Sequence, residues 1–115
     1  MLEQQQLLAL LWQEVRQLPL RQRRALLLNF KDGHGHDLVS LLPYTRTATI
    51  EQVAEALDLP LMDFLELWSK LPLDDATIAE LLGATRQQVI NLRKCARERL
   101  ERRMSAVIAK SSVAK

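Results

Sequence analysis

The sequence predicts an all-α protein that folds as one compact domain of several helices. Leucine and alanine dominate its 115 residues, whereas glycine occurs three times and proline four times. Good helix formers with few helix breakers favour helices. No segment of useful length alternates apolar and polar residues, the pattern typical of a half-buried strand. A chain of this length buries a core without disulfides, and the single Cys95 forms no internal one.

Residues 1–31 predict a pair of helices. Apolar residues recur at helical spacing in the first of them, at Leu7, Leu8, Leu11, Val15 and Leu18, with Trp12 beside them. Pro19 suits the first turn of the second helix, which is rich in arginine and leucine. Gly33 and Gly35, in the stretch KDGHGHD, predict the turn that ends the pair.

Residues 32–73 predict an acidic insert that contains a further helical pair. A short apolar piece precedes it and is expected to end at Pro43. Thr49 and Gln52 have the spacing of a capping box, in which each side chain bonds the backbone N–H of the other residue. Pro60 marks the start of the next helix.

Residues 74–104 predict a helix-turn-helix. Asp74 or Asp75 caps its first helix, and Gly83 ends that helix because a tight turn requires positive φ. Thr85 and Gln88 repeat the capping-box spacing at the head of a long last helix. We expect that helix to pass Leu100, and residues 105–115 to form a frayed tail.

Charge is segregated along the chain, although the formal net charge is only +2. Residues 1–31 carry a net charge of +3, residues 32–75 carry −7, and residues 76–115 carry +6. A basic end attracts a polyanion and an acidic middle repels one. Any nucleic-acid surface is therefore expected at the carboxy end, although solvated helix faces also explain such a pattern.

The last helix has one apolar and one polar side when projected at about 100° per residue. Val89, Leu92, Ala96 and Leu100 form the apolar stripe. Amide and cationic side chains suit base edges in the major groove, because amides pair with adenine and arginine or lysine with guanine. The candidates for base reading are Arg86, Gln87, Gln88, Asn91 and Lys94, and the candidates for phosphate contact are Thr85, Arg93 and Arg97. Arg99, Arg102 and Arg103, farther along, suit phosphates or the acidic middle.

Two stretches resemble region 4 of the sigma-70 family of bacterial transcription initiation factors, especially the extracytoplasmic-function type. They are LPLRQRRALLLNF, residues 18–30, and IAELLGATRQQVINLRKCARERLERR, residues 78–103. The resemblance implies a last helix that reads minus-35-type promoter DNA, and docking on the β flap of RNA polymerase. It assigns groove-facing roles to the five base-reading candidates.

The chain departs from that family in two ways. A long insert separates the two stretches, which the family joins by a short turn, so the insert is expected to have its own structure. No segment resembles a promoter-melting region, so we expect a carboxy-terminal piece of a sigma factor or a stand-alone relative.

The insert contains a second helix-turn-helix pattern, displaced by 25 residues. VAEALDLPLMDFLELW then aligns with IAELLGATRQQVINLR. The reading positions of this copy hold leucine, methionine and carboxylates, which do not favour DNA phosphates. We expect a structural or protein-binding unit, with Met62, Leu65 and Trp68 as candidates for a contact surface; a core position explains these three equally well.

The sequence gives little indication of a metal site or a catalytic site. His34 and His36 have no neighbouring ligand that would complete a metal site, and Cys95 has no evident base partner. No phosphate loop or catalytic arrangement occurs, so we expect no enzyme, cofactor or metal. The amino terminus does not resemble a signal peptide, and no apolar run approaches the roughly 20 residues of a membrane span, which predicts a cytoplasmic protein.

Two functions stay open from the sequence. The first is a DNA-binding transcription module that acts with RNA polymerase. The second is a protein-interaction module that binds polymerase or an anti-sigma-type regulator without reading DNA. A homodimer that uses residues 2–15 as its seam is a further hypothesis about partners.

Overall fold

The computed structural model describes residues 3–30 and 37–113, and these residues form seven α-helices. The helices are α1 (Gln4–Gln17), α2 (Leu20–Leu27), α3 (Leu38–Tyr44), α4 (Ile50–Ala56), α5 (Leu61–Trp68), α6 (Asp75–Leu82) and α7 (Arg86–Val113). The predicted all-α class is confirmed. None of the helices in these two ranges is both long and apolar enough to cross a membrane.

One hydrophobic core joins the helices. Its fully buried side chains come from every helix, and the largest are Phe64, Leu26, Leu27, Leu28, Leu42, Leu57, Ile78, Val15, Val39, Val53 and Val89. The radius of gyration is 14.4 Å, near the value of about 13 Å expected for a compact chain of this size. The longest dimension is 47 Å, which reflects α7, because 28 helical residues extend about 42 Å.

The helix boundaries follow local signals in the sequence. Both predicted capping boxes form: the Thr49 hydroxyl accepts from Gln52 N at 3.1 Å, and the Thr85 hydroxyl accepts from Gln88 N at the same distance. Asp74 is the N-cap of α6. Pro43 does not end α3 but lies inside it, one residue before the helix ends.

The last helix is longer than predicted. We predicted a frayed tail from residue 105, but the structure continues α7 to Val113. Contacts with α1 reach as far as the point where fraying was expected: Arg103 Nε donates to Glu14 Oε1 at 2.8 Å, and Met104 lines a groove with Leu8 and Leu11. A short-range pattern contains no sign of these contacts.

The insert leaves and rejoins the rest of the chain at one point. Leu73 N donates to Leu28 O at 2.8 Å, and Asn29 Nδ2 donates to Leu73 O at 2.6 Å. Leu28 and Asn29 follow α2, and Leu73 immediately precedes the cap of α6. The start of α6 is thus anchored to the end of α2 despite the long separation in sequence.

The 25-residue repeat is visible in the backbone. We call residues 49–68 the first unit and residues 74–93 the second unit. The N-caps Thr49 and Asp74 are equivalent, and the turns hold equivalent left-handed residues, Asp58 at φ 55° and Gly83 at φ 64°. Equivalent turn bonds also form: Leu59 N to Ala54 O at 3.0 Å, and Ala84 N to Ala79 O at 2.9 Å.

Helix α2 bonds both units at the same place. Arg24 Nε donates to Leu57 O at 2.7 Å, and one terminal nitrogen of Arg21 donates to Leu82 O at 3.4 Å. Leu57 and Leu82 are equivalent in the repeat. Each guanidinium meets the last carbonyls of a helix, where the helix dipole favours a cation. No local pattern in the sequence indicated these two bonds.

Candidate nucleic-acid interface

The outward side of the first turns of α7 is polar and basic, as predicted. We call seven of its exposed residues the α7 face: Arg86, Gln87, Gln88, Ile90, Asn91, Lys94 and Arg97; exposed Cys95 and Glu98 lie on the same side. On the opposite side, Val89, Ala96 and Leu100 are buried and Leu92 is half-buried. The predicted orientation of the helix is confirmed, and all five base-reading candidates lie on the accessible side.

Packing between the two helices of the second unit holds this face in place. Ile78 and Val89 are fully buried, and Ala79 lies beneath the turn, where its small side chain allows close approach. Gly83 has φ 64° and ψ 40°, and its N–H bonds back to Glu80 O at 3.3 Å. The predicted turn at Gly83 is therefore confirmed, and buried apolar contacts hold α6 and α7 together on either side of it.

Two of the three amide candidates bond to each other. Gln87 Nε2 donates to Asn91 Oδ1 at 3.1 Å. An amide has one oxygen and two N–H donors, so Gln87 can still offer an oxygen and a donor to one adenine. Asn91 has its oxygen engaged. Gln87 is thus better prepared for bidentate pairing, and the bond restricts its rotamers.

The third amide has a structural role. Gln88 Oε1 accepts from Thr85 N at 2.9 Å, which completes the capping box at the head of α7. This bond uses one of the two lone pairs of the oxygen, so Gln88 keeps its amide donors and one acceptor position for a base. Thr85 is exposed, and its hydroxyl hydrogen can still be donated to a phosphate.

Arg93 is not on the accessible surface, which corrects its assignment to phosphate contact. Only 9% of the residue is exposed. Its Nε donates to Ala25 O at 3.2 Å, and a terminal nitrogen lies 2.5 Å from Asp75 Oδ1. In the helical projection Arg93 lies between the apolar and the polar side of α7, and α2 covers this part of the helix. A phosphate cannot replace these bonds without disrupting the junction of α2, α6 and α7.

The remaining cations of α7 divide into two groups. Arg97 is exposed next to Lys94, as a phosphate contact requires, and Arg99 and Arg102 are also exposed. Arg103 instead pairs with Glu14 of α1, and not with the acidic middle of the chain. This charged hydrogen bond raises the pKa of Arg103 further above its already high value.

Carboxylates lie at the amino-terminal edge of the α7 face. Asp74 and Asp75 line a shallow cleft with Asn29, Ala76 and Arg86. Hydrogen bonds from the Thr77 side chain and backbone lower the pKa of Asp74, and the charge of Arg86 lowers it slightly more. Asp74 is therefore ionised at neutral pH, so this edge attracts phosphate less than the Lys94 and Arg97 side.

The first unit presents a different surface. We call its residues on the outward side of α5 the α5 surface: Leu61, Met62, Asp63, Leu65 and Glu66. Met62 is 73% exposed, Leu65 40% and Leu61 38%, so these side chains do not belong to the core. Leu61 was not among the predicted contact residues, although its position in the repeat, equivalent to Arg86, could have identified it.

Trp68, the third residue predicted for this contact surface, faces inward. Its ring stacks on that of buried Phe64, with centroids 5.7 Å apart, and its Nε1 donates to Ser40 Oγ at 2.8 Å. Trp68 is half-buried and connects α5 to α3. The alternative of a packing position therefore applies to Trp68, and the contact surface is confined to its neighbours.

Among the residues that the structure describes, the other reactive side chains form no group of metal ligands. Cys95 is exposed on α7, and burial does not explain its presence. Within residues 3–30 and 37–113, no three histidine, cysteine, aspartate or glutamate side chains are grouped as metal ligands. The predicted turn with His34 and His36 lies outside the described residues.

No family model, curated protein or solved structure matches this chain.

Proposed function

We propose that the protein is a DNA-binding module of transcription that reads duplex promoter DNA with the α7 face, as the sigma region 4 resemblance implies. The observation that carries the proposal is the difference between two equivalent helices. They occupy the same place in one repeated scaffold, yet α7 displays Arg86, Gln87 and Asn91 where α5 displays Leu61, Met62 and Glu66. Scaffold packing does not require that difference, because all these positions are exposed.

The chemistry of the face suits base edges and phosphates at different points. Gln87 is held ready for a bidentate contact, and Arg86 lies at the first turn, where a recognition helix meets base edges. Lys94 and Arg97 lie about two to three turns later. At that distance Lys94, a base-reading candidate from the sequence, suits backbone phosphates as Arg97 does. Few such contacts exist in one chain, so we expect weak binding that a second attachment, such as RNA polymerase, reinforces.

A salt series on a selected duplex tests this function. A site is first selected from a random duplex library, and binding is then followed by fluorescence anisotropy at increasing salt. Arg86→Ala is expected to relax preference at one base pair, worth about 1–3 kcal/mol. Arg97→Ala is expected to weaken all sequences alike and to reduce the salt slope by about one.

Lys70→Ala is the matched control, because Lys70 is an exposed cation outside the α7 face. It removes one positive charge and is expected to leave both readouts unchanged. If the unmodified protein binds no duplex at low salt, or Lys70→Ala acts like Arg97→Ala, the proposal fails.

A second candidate function is protein binding through the α5 surface, and one observation favours it. Met62 and Leu65 are exposed apolar side chains beside the carboxylates of Asp63 and Glu66. Exposed apolar residues with a charged rim are typical of interaction sites. Polymerase core, by the resemblance, or an anti-sigma-type regulator would be the partner.

Binding to purified polymerase core separates the two functions. Loss of binding in Met62→Asp and Leu65→Asp, with retention in Gln87→Ala and Asn91→Ala, supports the second candidate. The reverse pattern eliminates it.

A further inference from the structure

We propose that copies of this chain associate head to tail, with the α5 surface of one copy docked on the α7 face of the next. The proposal does not depend on DNA binding. It rests on two surfaces that share a scaffold and a register but carry opposite charge. Every copy has both surfaces, so the complementary partner of either one is always present.

The apolar parts of the two surfaces correspond. Leu65 and Ile90 are equivalent in the 25-residue repeat, and they are 40% and 38% exposed. Met62 lies at the centre of the outward side of α5 and is 73% exposed. Contact between these side chains would remove apolar area from water on both copies, which favours association.

The charged parts are complementary. Asp63 and Glu66 flank the apolar residues of α5, whereas Arg86, Lys94 and Arg97 on α7 outnumber the one exposed carboxylate beside them, Glu98. Opposite potentials on facing patches steer encounter and fix the register of a complex. Two α5 surfaces would repel each other, as would two α7 faces, so charge favours the head-to-tail arrangement over a symmetric pair.

This arrangement has two consequences. A head-to-tail contact is heterologous, so association continues beyond a dimer unless a ring closes. The contact also covers the α7 face, so DNA and a second copy would compete for Arg86 and Lys94. A high concentration of the chain would therefore reduce the fraction free to bind a polyanion.

Sedimentation velocity without DNA tests the contact, over a series of protein concentrations at low and at high salt. The average mass is expected to rise with concentration at low salt and to return to that of one chain at high salt, because screening weakens the charged contacts. Asp63→Lys with Glu66→Lys, and separately Lys94→Glu with Arg97→Glu, are each expected to weaken association about tenfold or more.

Mixing the two double variants gives the decisive comparison. Each variant alone meets like charge. In the mixture, the unmodified α7 face of the first variant meets the unmodified α5 surface of the second, and the two reversed surfaces also match, so association is expected to return. Circular dichroism checks that each variant keeps its helix content. If the α7 double variant loses helix, Lys94→Gln with Arg97→Gln replaces it. This variant alone is expected to associate more weakly, and mixing it with the α5 double variant is expected to restore pairs through the two unmodified surfaces.

The proposal is overturned if the unmodified chain has the mass of one copy at every concentration at low salt. It is also overturned if association persists unchanged in the charge variants, because another surface, such as the groove beside α1, then forms the contact. Failure of DNA binding in the anisotropy series leaves this result unaffected, since no DNA is present in the sedimentation experiment.

Discussion

The guanidinium of Arg93 and the carboxylate of Asp75 form a partly buried ion pair that joins α7 to the first turn of α6. The Arg93 side chain is 11% exposed and that of Asp75 24%. The same guanidinium bonds Ala25 O of α2. One side chain therefore fixes the last helix against two others, and thereby fixes the direction of the α7 face.

Replacing Arg93 should destabilise the fold and not only weaken DNA binding. Arg93→Met leaves Asp75 and the Ala25 carbonyl without their partner, which is expected to cost about 2–4 kcal/mol. Urea unfolding measures the loss. Arg97→Ala, an exposed arginine one turn later, is the control and should stay within about 0.5 kcal/mol of the unmodified protein. Equal effects of the two substitutions would refute the structural role of Arg93.

The two arginines of α2 should differ in their contribution to stability. Arg24 makes a short, partly buried bond to Leu57 O, whereas the bond from Arg21 to Leu82 O is long and exposed. Arg24→Met is expected to lower the free energy of unfolding by about 1–2 kcal/mol, and Arg21→Met by less than about 0.5. The same urea titration compares them, and a larger loss at Arg21 would contradict the geometry.

Replacing Gly83 in the turn of the second unit should lower stability because of its backbone conformation and not because of a steric clash. Gly83 has φ 64°, yet nothing lies within 4 Å of an added Cβ. Gly83→Ala is therefore expected to cost about 1–2 kcal/mol from the left-handed conformation, and Gly83→Asn less, because asparagine tolerates it. Thermal unfolding of both variants ranks their stabilities. An Ala variant as stable as the Asn variant would contradict this prediction.

Acidification should remove the stabilisation that the Asp74 cap gives to α6. Hydrogen bonds from Thr77 lower the pKa of Asp74 below its ordinary value of 3.8, so the folded state binds the proton less well than the unfolded state. The cap therefore stabilises the fold above the ordinary pKa, and this contribution disappears as pH falls through the folded-state pKa. In Asp74→Asn, unfolding measured below neutral pH should show a smaller loss of stability on acidification. An unchanged pH profile would argue against the cap.

Local signals in the sequence predicted the helices well, because caps and turn residues act within a few positions. Thr49, Asp74, Gly83 and Thr85 each function where their sequence context indicated. The repeat was also recognisable, since its apolar pattern is retained over 25 residues.

Long-range contacts could not be predicted in the same way. The burial of Arg93 depends on which side of α7 is covered by α2, and the pairing of Arg103 with Glu14 depends on the position of α1. The inward position of Trp68 depends on Ser40 in a separate helix. Helical periodicity gives the direction of a side chain but does not reveal which neighbour occupies that direction.

The central claim is that only the second of two equivalent units reads DNA, and chemical-shift mapping tests it most directly. Isotope-labelled protein is titrated with the selected duplex at a dilution where it is a single chain. We expect amide shifts to change from Arg86 to Arg97, with those from Leu61 to Trp68 unchanged. Changes confined to α5, or spread equally over both units, would contradict the claim.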